Sequence, residues 1–251
     1  MSDAHLGFAG DEVERAVISF LRHAATHAGS LVINGDLFEF WFEWRTVIPR
    51  RGFRTIAALA DVADAGVPVV MIAGNHDCWG GDVLRKDVGV DYRFGPWLGE
   101  IAGWHARIEH GDGLRPREDK RYRMLRGVLR HPLAIRAFRW VHPDLATPLA
   151  THSSSASRTY SSPDAGRGLR EAAVRTADAD RSLDLVVFGH SHVATLERLP
   201  NGTVYGNPGS WLDAPTFLRI SEDRIALRQW NGSAESADLD AFDRVSEKTL
   251  T

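Results

Sequence analysis

The chain has a single cysteine, Cys78, in 251 residues, so no disulfide can form within it and nothing calls for an oxidising compartment. No stretch approaches the roughly 20 consecutive apolar residues that a bilayer-spanning helix needs. The N-terminus shows neither the basic segment nor the apolar run of a secretory signal. Excess charge is missing too: 30 Lys and Arg against 33 Asp and Glu leave a net −3, which gives no bulk electrostatic reason to bind nucleic acid. The expectation is a cytoplasmic globular protein with no nucleic-acid partner. Any membrane contact would be peripheral, on the inner face of the cytoplasmic membrane.

The length suits one large domain, or a domain with an insertion, and either can bury a substantial core. Residues Glu12 to Ala28 read as an amphipathic helix with Val13, Val17, Phe20 and Leu21 on one side. The apolar run Leu31-Val32-Ile33 then ends in Asn34-Gly35-Asp36, as a buried strand ends in a loop. A helix from about Thr55 to Ala65 follows, and the strand Val67 to Ala73 ends in Gly74-Asn75-His76-Asp77. Trp104 to Glu109 ends in His110-Gly111-Asp112, and Leu183 to Phe188 runs into Gly189-His190-Ser191-His192. Polar clusters at strand C-termini stand where open α/β sheets place their ligands. Beyond them, Val193 to Leu199, Thr203 to Tyr205, Phe217 to Ile220 and Ile225 to Trp230 predict a second, mostly antiparallel sheet. The fold class expected is α/β: a two-sheet β-sandwich flanked by helices.

One segment does not fit that core. Residues 114–142 carry nine basic side chains against only Glu118 and Asp119, with Tyr122, Leu125, Val128 and Leu129 at helical spacing and Pro132, Pro143 and Pro148 as breakers. The organisation expected is a core of residues 1–113 and 171–232, a helical cap insertion over 114–170 and a C-terminal tail over 233–251. The serine-rich stretch His152 to Ser162 reads as a loop. The cluster Asp3-Ala4-His5 alone has no apolar strand before it, which points to a start upstream of Met1 or to a sheet short of one strand.

Each Asp, Asn and His cluster is weak by itself, because a lone Gly-Asp or Gly-Asn usually marks a turn. Five of them in loops that one rigid scaffold can bring together make coincidence a poor account. A mixed oxygen and imidazole donor set suits Mn²⁺, Fe or Zn²⁺ better than an all-oxygen Ca²⁺ or Mg²⁺ cage. Two such ions roughly 3.5–4 Å apart serve displacement at phosphorus by activating water and stabilising the entering and leaving oxygens. An imidazole beside such a site, His76, is a plausible proton donor, with the neighbouring Asp77 to fix its tautomer. Asp112 reads as support for a ligand or the adjacent loop. His23 and His27 read as solvent-facing, and Cys78 as a small loop residue.

Asp3-Ala4-His5, Gly35-Asp36, Gly74-Asn75-His76-Asp77, His110-Gly111-Asp112 and Gly189-His190-Ser191-His192 stand in the order of the calcineurin-like metallophosphoesterase signature, which the chain resembles from about Ser2 to Trp211. The resemblance implies that Asp3, His5, Asp36 and His192 hold one divalent ion, Mn²⁺ being the species expected, and that Asp36, Asn75, His110 and His190 hold the other, with Asp36 as the bridge. It also implies that His76 approaches the substrate phosphate. Gly35 to Trp41, the run from His110 through Asp119-Lys120-Arg121-Tyr122 to Pro132, and Phe138 to Leu145 resemble UDP-2,3-diacylglucosamine hydrolases of lipid A synthesis. In that family a helical insertion caps the site and receives acyl chains. The resemblance implies a nucleotide-linked glycolipid substrate, with Asn75, Asp119 and Arg158 as contacts. At position 76 the best-studied branch has arginine, where this chain has the histidine general to metallophosphoesterases. Two further readings stay open: a metallophosphoesterase acting on another phosphodiester or phosphomonoester, and a non-catalytic scaffold of the same fold.

Overall fold

The computed structural model describes residues 1–116, 118–148 and 164–244. Two helices, α1 (Asp11–His27) and α2 (Phe53–Asp64), cover one face of a parallel sheet made of β1 (Leu31–Asn34), β2 (Val69–Ile72) and β3 (Asp91–Arg93). Side chains alternate across a strand, and here both faces are dry. Leu31, Ile33, Val69 and Met71 pack with Val17, Leu21, Leu59 and Val62 of the helices. Val32, Val70 and Ile72 face the opposite way, into a second sheet.

That second sheet runs β4-β5-β6-β8-β7, with β4 at Trp97–Ile101, β5 at Trp104–Ile108, β6 at Leu185–Val187, β7 at Thr195–Arg198 and β8 at Val204–Asn207. The pairs β5–β6 and β6–β8 are parallel, and the edge pairs are antiparallel. Leu185 and Val187 fill the space between the sheets, while Val186 and Phe188 meet Leu169, Ala172 and Ala173 of a helix over Arg167–Ala179 on the outer face. The layers are therefore helix, sheet, sheet, helix, which is the α/β sandwich expected.

The C-terminal strands do not form the single second sheet that their pattern suggested. Strands β7 and β8 join the mixed sheet, because β8 pairs in parallel with β6. Strand β10 (Arg224–Gln229) pairs antiparallel with β9 (Thr216–Ile220) on one side and on the other with β11 (Asp240–Asp243), a strand lying in the stretch expected to be a tail. Charge explains why hydrophobic patterning missed β11: Arg224 and Arg228 bind Asp238, and Arg224 also binds Asp243. Phe217 sits with α1 and Leu218 faces the second sheet, so β9 to β11 lie in the layer of β1 to β3.

No helix among the described residues is long and apolar enough to cross a membrane. The basic insertion forms α3 (Lys120–Leu129), α4 (Pro132–Phe138) and a further helical stretch over 143–148. Pro132 takes the first helical position, where its missing N–H costs nothing, and His131 caps α4 by accepting from Leu133 N–H. Phe138, Ile135 and Val141 pack on Phe40, Phe42, Trp44 and Trp79, and so seat the insertion on the core. His23 is half-buried, hydrogen-bonds Glu235 at 3.2 Å and stacks on His27, contrary to the solvent-facing reading. Its place beside Trp230, where the β9 to β11 sheet meets α1, accounts for the difference.

Candidate metal centre

The loops after β1, β2, β5 and β6 leave the same end of two packed sheets, and their polar clusters converge there. The first cluster reaches them without an assigned strand of its own. The segment from Met1 lies beside β1, with Asn34 N–H donating to Met1 O (2.9 Å), Asp3 N–H to Gly35 O (3.1 Å) and His5 N–H to Asp36 O (3.0 Å). On its other side Trp211 N–H and Ser210 Oγ donate to Asp3 O.

Five of the residues brought together hold backbone that L-residues rarely adopt: φ is 54° at Asp3, 45° at His5, 52° at Asp36, 62° at His190 and 61° at His192. Each such residue costs about 1–3 kcal/mol, and that strain persists only where the surroundings impose it. Glycine makes the close approach possible, since a Cβ on Gly74 would overlap the Asp36 carboxylate and one on Gly35 would overlap the His110 ring.

Three groups of ligand atoms result, of which two are built from the expected ligands and the third, His5 with Glu39 and His76, shares His5 with one of them. Asp3, His5 and His192 each place one donor atom within 4.8 Å of the others, as do Asp36, His110 and His190. In the first group His5 Nε2 faces His192 Nε2 at 3.1 Å, and His192 Nε2 is 3.4 Å from Asp3 Oδ1. In the second, His110 Nδ1 donates to Asn34 O at 2.8 Å and Nε2 faces Asp36 Oδ2 (3.1 Å) and Asn75 Oδ1 (3.2 Å); burial opposes the charged ring, but the Asp36 carboxylate outweighs it and raises His110 well above its ordinary range. Lone pairs from carboxylate, amide and imidazole thus converge on common points. A divalent cation satisfies such a set, and its mixed oxygen and nitrogen chemistry fits first-row transition metals.

The electrostatics agree with a demand for positive charge. Asp3 and Asp36 are buried. Burial opposes the Asp36 carboxylate, but His110, through its charge and its hydrogen bond, outweighs it with His76 and holds the group well below its ordinary range. Burial pushes His5 down to about 3, and burial together with His110 pushes His190 down to about 4, so both rings are neutral donors at physiological pH.

His76 lies beside this centre, its Nε2 3.9 Å from Asp36 Oδ2 and its backbone N–H donating to Asp36 Oδ1 at 2.9 Å. Its ring is not oriented by Asp77. The Asp77 carboxylate points back under the turn and accepts from Gly74 N–H and Leu37 N–H, both at 2.8 Å, which pins the two loops together. Burial, then the Asp36 charge, raises Asp77 to about 6. The group near the His76 ring is Glu39, whose main-chain oxygen stands 3.1 Å from Nδ1. A carboxylate inside the aromatic run Leu37 to Phe42 was the sequence signal for it, since a buried charge there requires partners.

Asp112 touches none of the ligands in the contacts described. It accepts from Tyr122 Oη at 2.6 Å and from Arg130 at 3.2 Å, and so ties α3 to the loop carrying His110. Asp119 is buried and accepts from Arg115 N–H and guanidinium at the start of α3. Arg158 lies outside the described residues. Cys78 is buried, and burial pushes its thiol up to about 12, in keeping with a packing role.

A family model described as calcineurin-like phosphoesterase matches residues 1–194. A UDP-2,3-diacylglucosamine hydrolase of Porphyromonas gingivalis is 34% identical over 161 residues, an alignment spanning 62% of this chain and 62% of that protein. A protein of the same name from Xanthomonas oryzae pv. oryzae is 28% identical over 252 residues, spanning 92% of this chain and 97% of that one. Among solved structures, a dimetal phosphatase from Danio rerio aligns over 94% of this chain and 96% of that one, at 11% identity and a TM-score of 0.49.

Proposed function

The chain belongs to the calcineurin-like phosphoesterase family and is a hydrolase, and from that premise we propose that it uses two divalent ions, Mn²⁺ foremost, to cleave the pyrophosphate of UDP-2,3-diacylglucosamine. The products are UMP and 2,3-diacylglucosamine 1-phosphate, a step of lipid A biosynthesis. The observation that carries the reading is the pairing of two ligand groups with a basic, apolar cap seated on the same loops.

Asp3, His5 and His192 would hold one ion and Asn75, His110 and His190 the other, with Asp36 shared between them. Such a pair supplies Lewis-acid activation and charge neutralisation at phosphorus. His76, with Nδ1 committed to Glu39 O, directs Nε2 toward the centre, where the protonated ring can donate to a phosphoryl or leaving oxygen. Asp77 holds the loop that carries His76. Asn75 and, on the family resemblance, Asp119 and Arg158 are assigned to the substrate side.

The cap supports a lipid-linked substrate. Met124, Leu125, Val128, Leu133, Trp140 and Leu145 are exposed on it, interspersed with arginines. A groove of about 950 Å³ runs between Trp44, Val47, Ile135, Trp140 and Val141, with Arg45, Arg136 and Arg139 among its walls. Apolar side chains ringed by cations suit acyl chains beside a pyrophosphate, and equally a peripheral seat on an anionic membrane surface. The test is hydrolysis of UDP-2,3-diacylglucosamine by purified protein with Mn²⁺, with UMP release expected. Rapid turnover of a generic phosphodiester alongside an intact lipid nucleotide would sink the substrate assignment and leave the phosphoesterase reading standing.

A further inference from the structure

One residue serves two histidines of the site. Glu39 is buried, and its Oε2 stands 3.2 Å from His5 Nδ1 and 3.6 Å from His76 Nδ1, while its main-chain oxygen stands 3.1 Å from His76 Nδ1. The residue is itself held in place: Glu39 N–H donates to Leu6 O at 3.0 Å, and Leu6 N–H to Leu37 O at 2.9 Å. The two imidazoles meet edge to face, with centroids 4.8 Å apart.

A carboxylate can only accept, so its contact with His5 Nδ1 places the ring proton on that nitrogen and leaves the lone pair on Nε2. Nε2 is the atom that faces His192 Nε2 at 3.1 Å and Asp3 Oδ1 at 4.0 Å. Without the Glu39 acceptor the ring is free to take the tautomer protonated at Nε2, and in that tautomer the ligand atom is blocked. We propose that Glu39 is a positioning residue: its side chain sets the His5 tautomer that can bind metal, and its backbone carbonyl orients His76. The inference rests on the dinuclear reading above.

A side-chain substitution removes the acceptor at His5 Nδ1 and leaves the carbonyl 3.1 Å from His76 Nδ1 in place, so the His5 tautomer and metal affinity are the readouts. In metal-free wild-type protein, long-range ¹H–¹⁵N spectra are expected to show His5 protonated at Nδ1, and an Nε2-protonated His5 overturns the proposal. Glu39→Leu removes the acceptor, and the Mn²⁺ dissociation constant should rise about 10–100-fold, the usual cost of losing a ligand's outer partner. Glu39→Gln retains an acceptor oxygen at nearly the same volume and should hold Mn²⁺ within about fivefold of wild type.

Unchanged Mn²⁺ affinity in Glu39→Leu defeats the proposal. So does equal weakening in both variants, which would make negative charge rather than hydrogen-bond acceptance the active property. Should Glu39→Leu not fold, the wild-type tautomer and the glutamine variant still decide. Wild-type protein that binds no Mn²⁺ removes the dinuclear reading itself, whereas two ions bound equally well by wild type and Glu39→Leu remove only this inference.

Discussion

Stripping the metal should cost the protein a large, countable share of its thermal stability. The two ligand groups, Asp3 with His5 and His192 and Asp36 with His110 and His190, are assembled only by the fold, from loops far apart in sequence. An ion that binds the folded state alone stabilises it by RT ln(1 + [L]/Kd), about 2.7 kcal/mol per site at a hundredfold excess over Kd. Two filled sites therefore contribute about 5 kcal/mol. In a chain of this size each kcal/mol moves Tm by about 2–4 °C, so the full shift is about 10–20 °C. The backbone strain at the five ligand positions is present with or without metal and leaves the difference intact. Calorimetry of chelator-treated protein titrated with Mn²⁺, with metal content measured in parallel, reads the shift directly. His192→Ala touches one group and should keep about half of it, whereas Asp36→Ala removes the proposed bridge and should abolish nearly all. A wild-type shift under about 2 °C at saturation, or equal shifts in the two variants, refutes the reasoning.

His76→Gln should retain both ions and slow turnover by about 10²–10⁴-fold, the range for a lost acid or base; loss of metal from this variant would make His76 a ligand instead. Tyr122→Phe removes a hydrogen bond to the buried Asp112 carboxylate, worth about 1.5–3 kcal/mol. Tryptic cleavage of the cap in native protein should accelerate about tenfold or more, and an unchanged cleavage rate would show that the tether is idle. Cys78 has its ionisation pushed up to about 12, so the thiol form holds at every pH below that. Its thiolate fraction at pH 8.5 is about a thousandfold lower than that of an ordinary cysteine. Alkylation should stall until the protein unfolds, and prompt labelling of native protein would contradict the burial.

Much of this arrangement was legible because it depends on short-range pattern. Strands β1, β2, β5 and β6 are apolar runs closed by polar residues, and their order alone sends the clusters to one end of the sheets. Side-chain direction was less legible. Asp77 follows His76 and looks like its partner, yet tight turns turn neighbours apart, and the carboxylate serves Gly74 and Leu37 instead. Glu39 is 37 residues upstream of His76 and meets it only through folding. Strand β11 was hidden because it is four residues long with an aspartate at each end, so its apolar signal is Phe242 with Ala241, while Arg224 pairs with Asp243 across the ladder.

The cap and the metal centre are best understood as one mechanical unit. Arg130 of the α3 C-terminus donates to Gly74 O, one residue before Asn75, and to Asp112, two residues after His110. Trp79 Nε1 donates to Leu129 O, and Trp44 Nε1 to Val141 O, so indoles from the core loops hold both ends of α4's surroundings. The segments that would recognise the lipid are therefore fastened to the turns that carry Asn75 and His110. Because a packed scaffold transmits displacements rather than absorbing them, a shift of the cap moves those ligands as well. On the proposed reading, specificity and metal geometry would be coupled through Asp112 and Arg130, side chains that need touch neither substrate nor metal to matter for both.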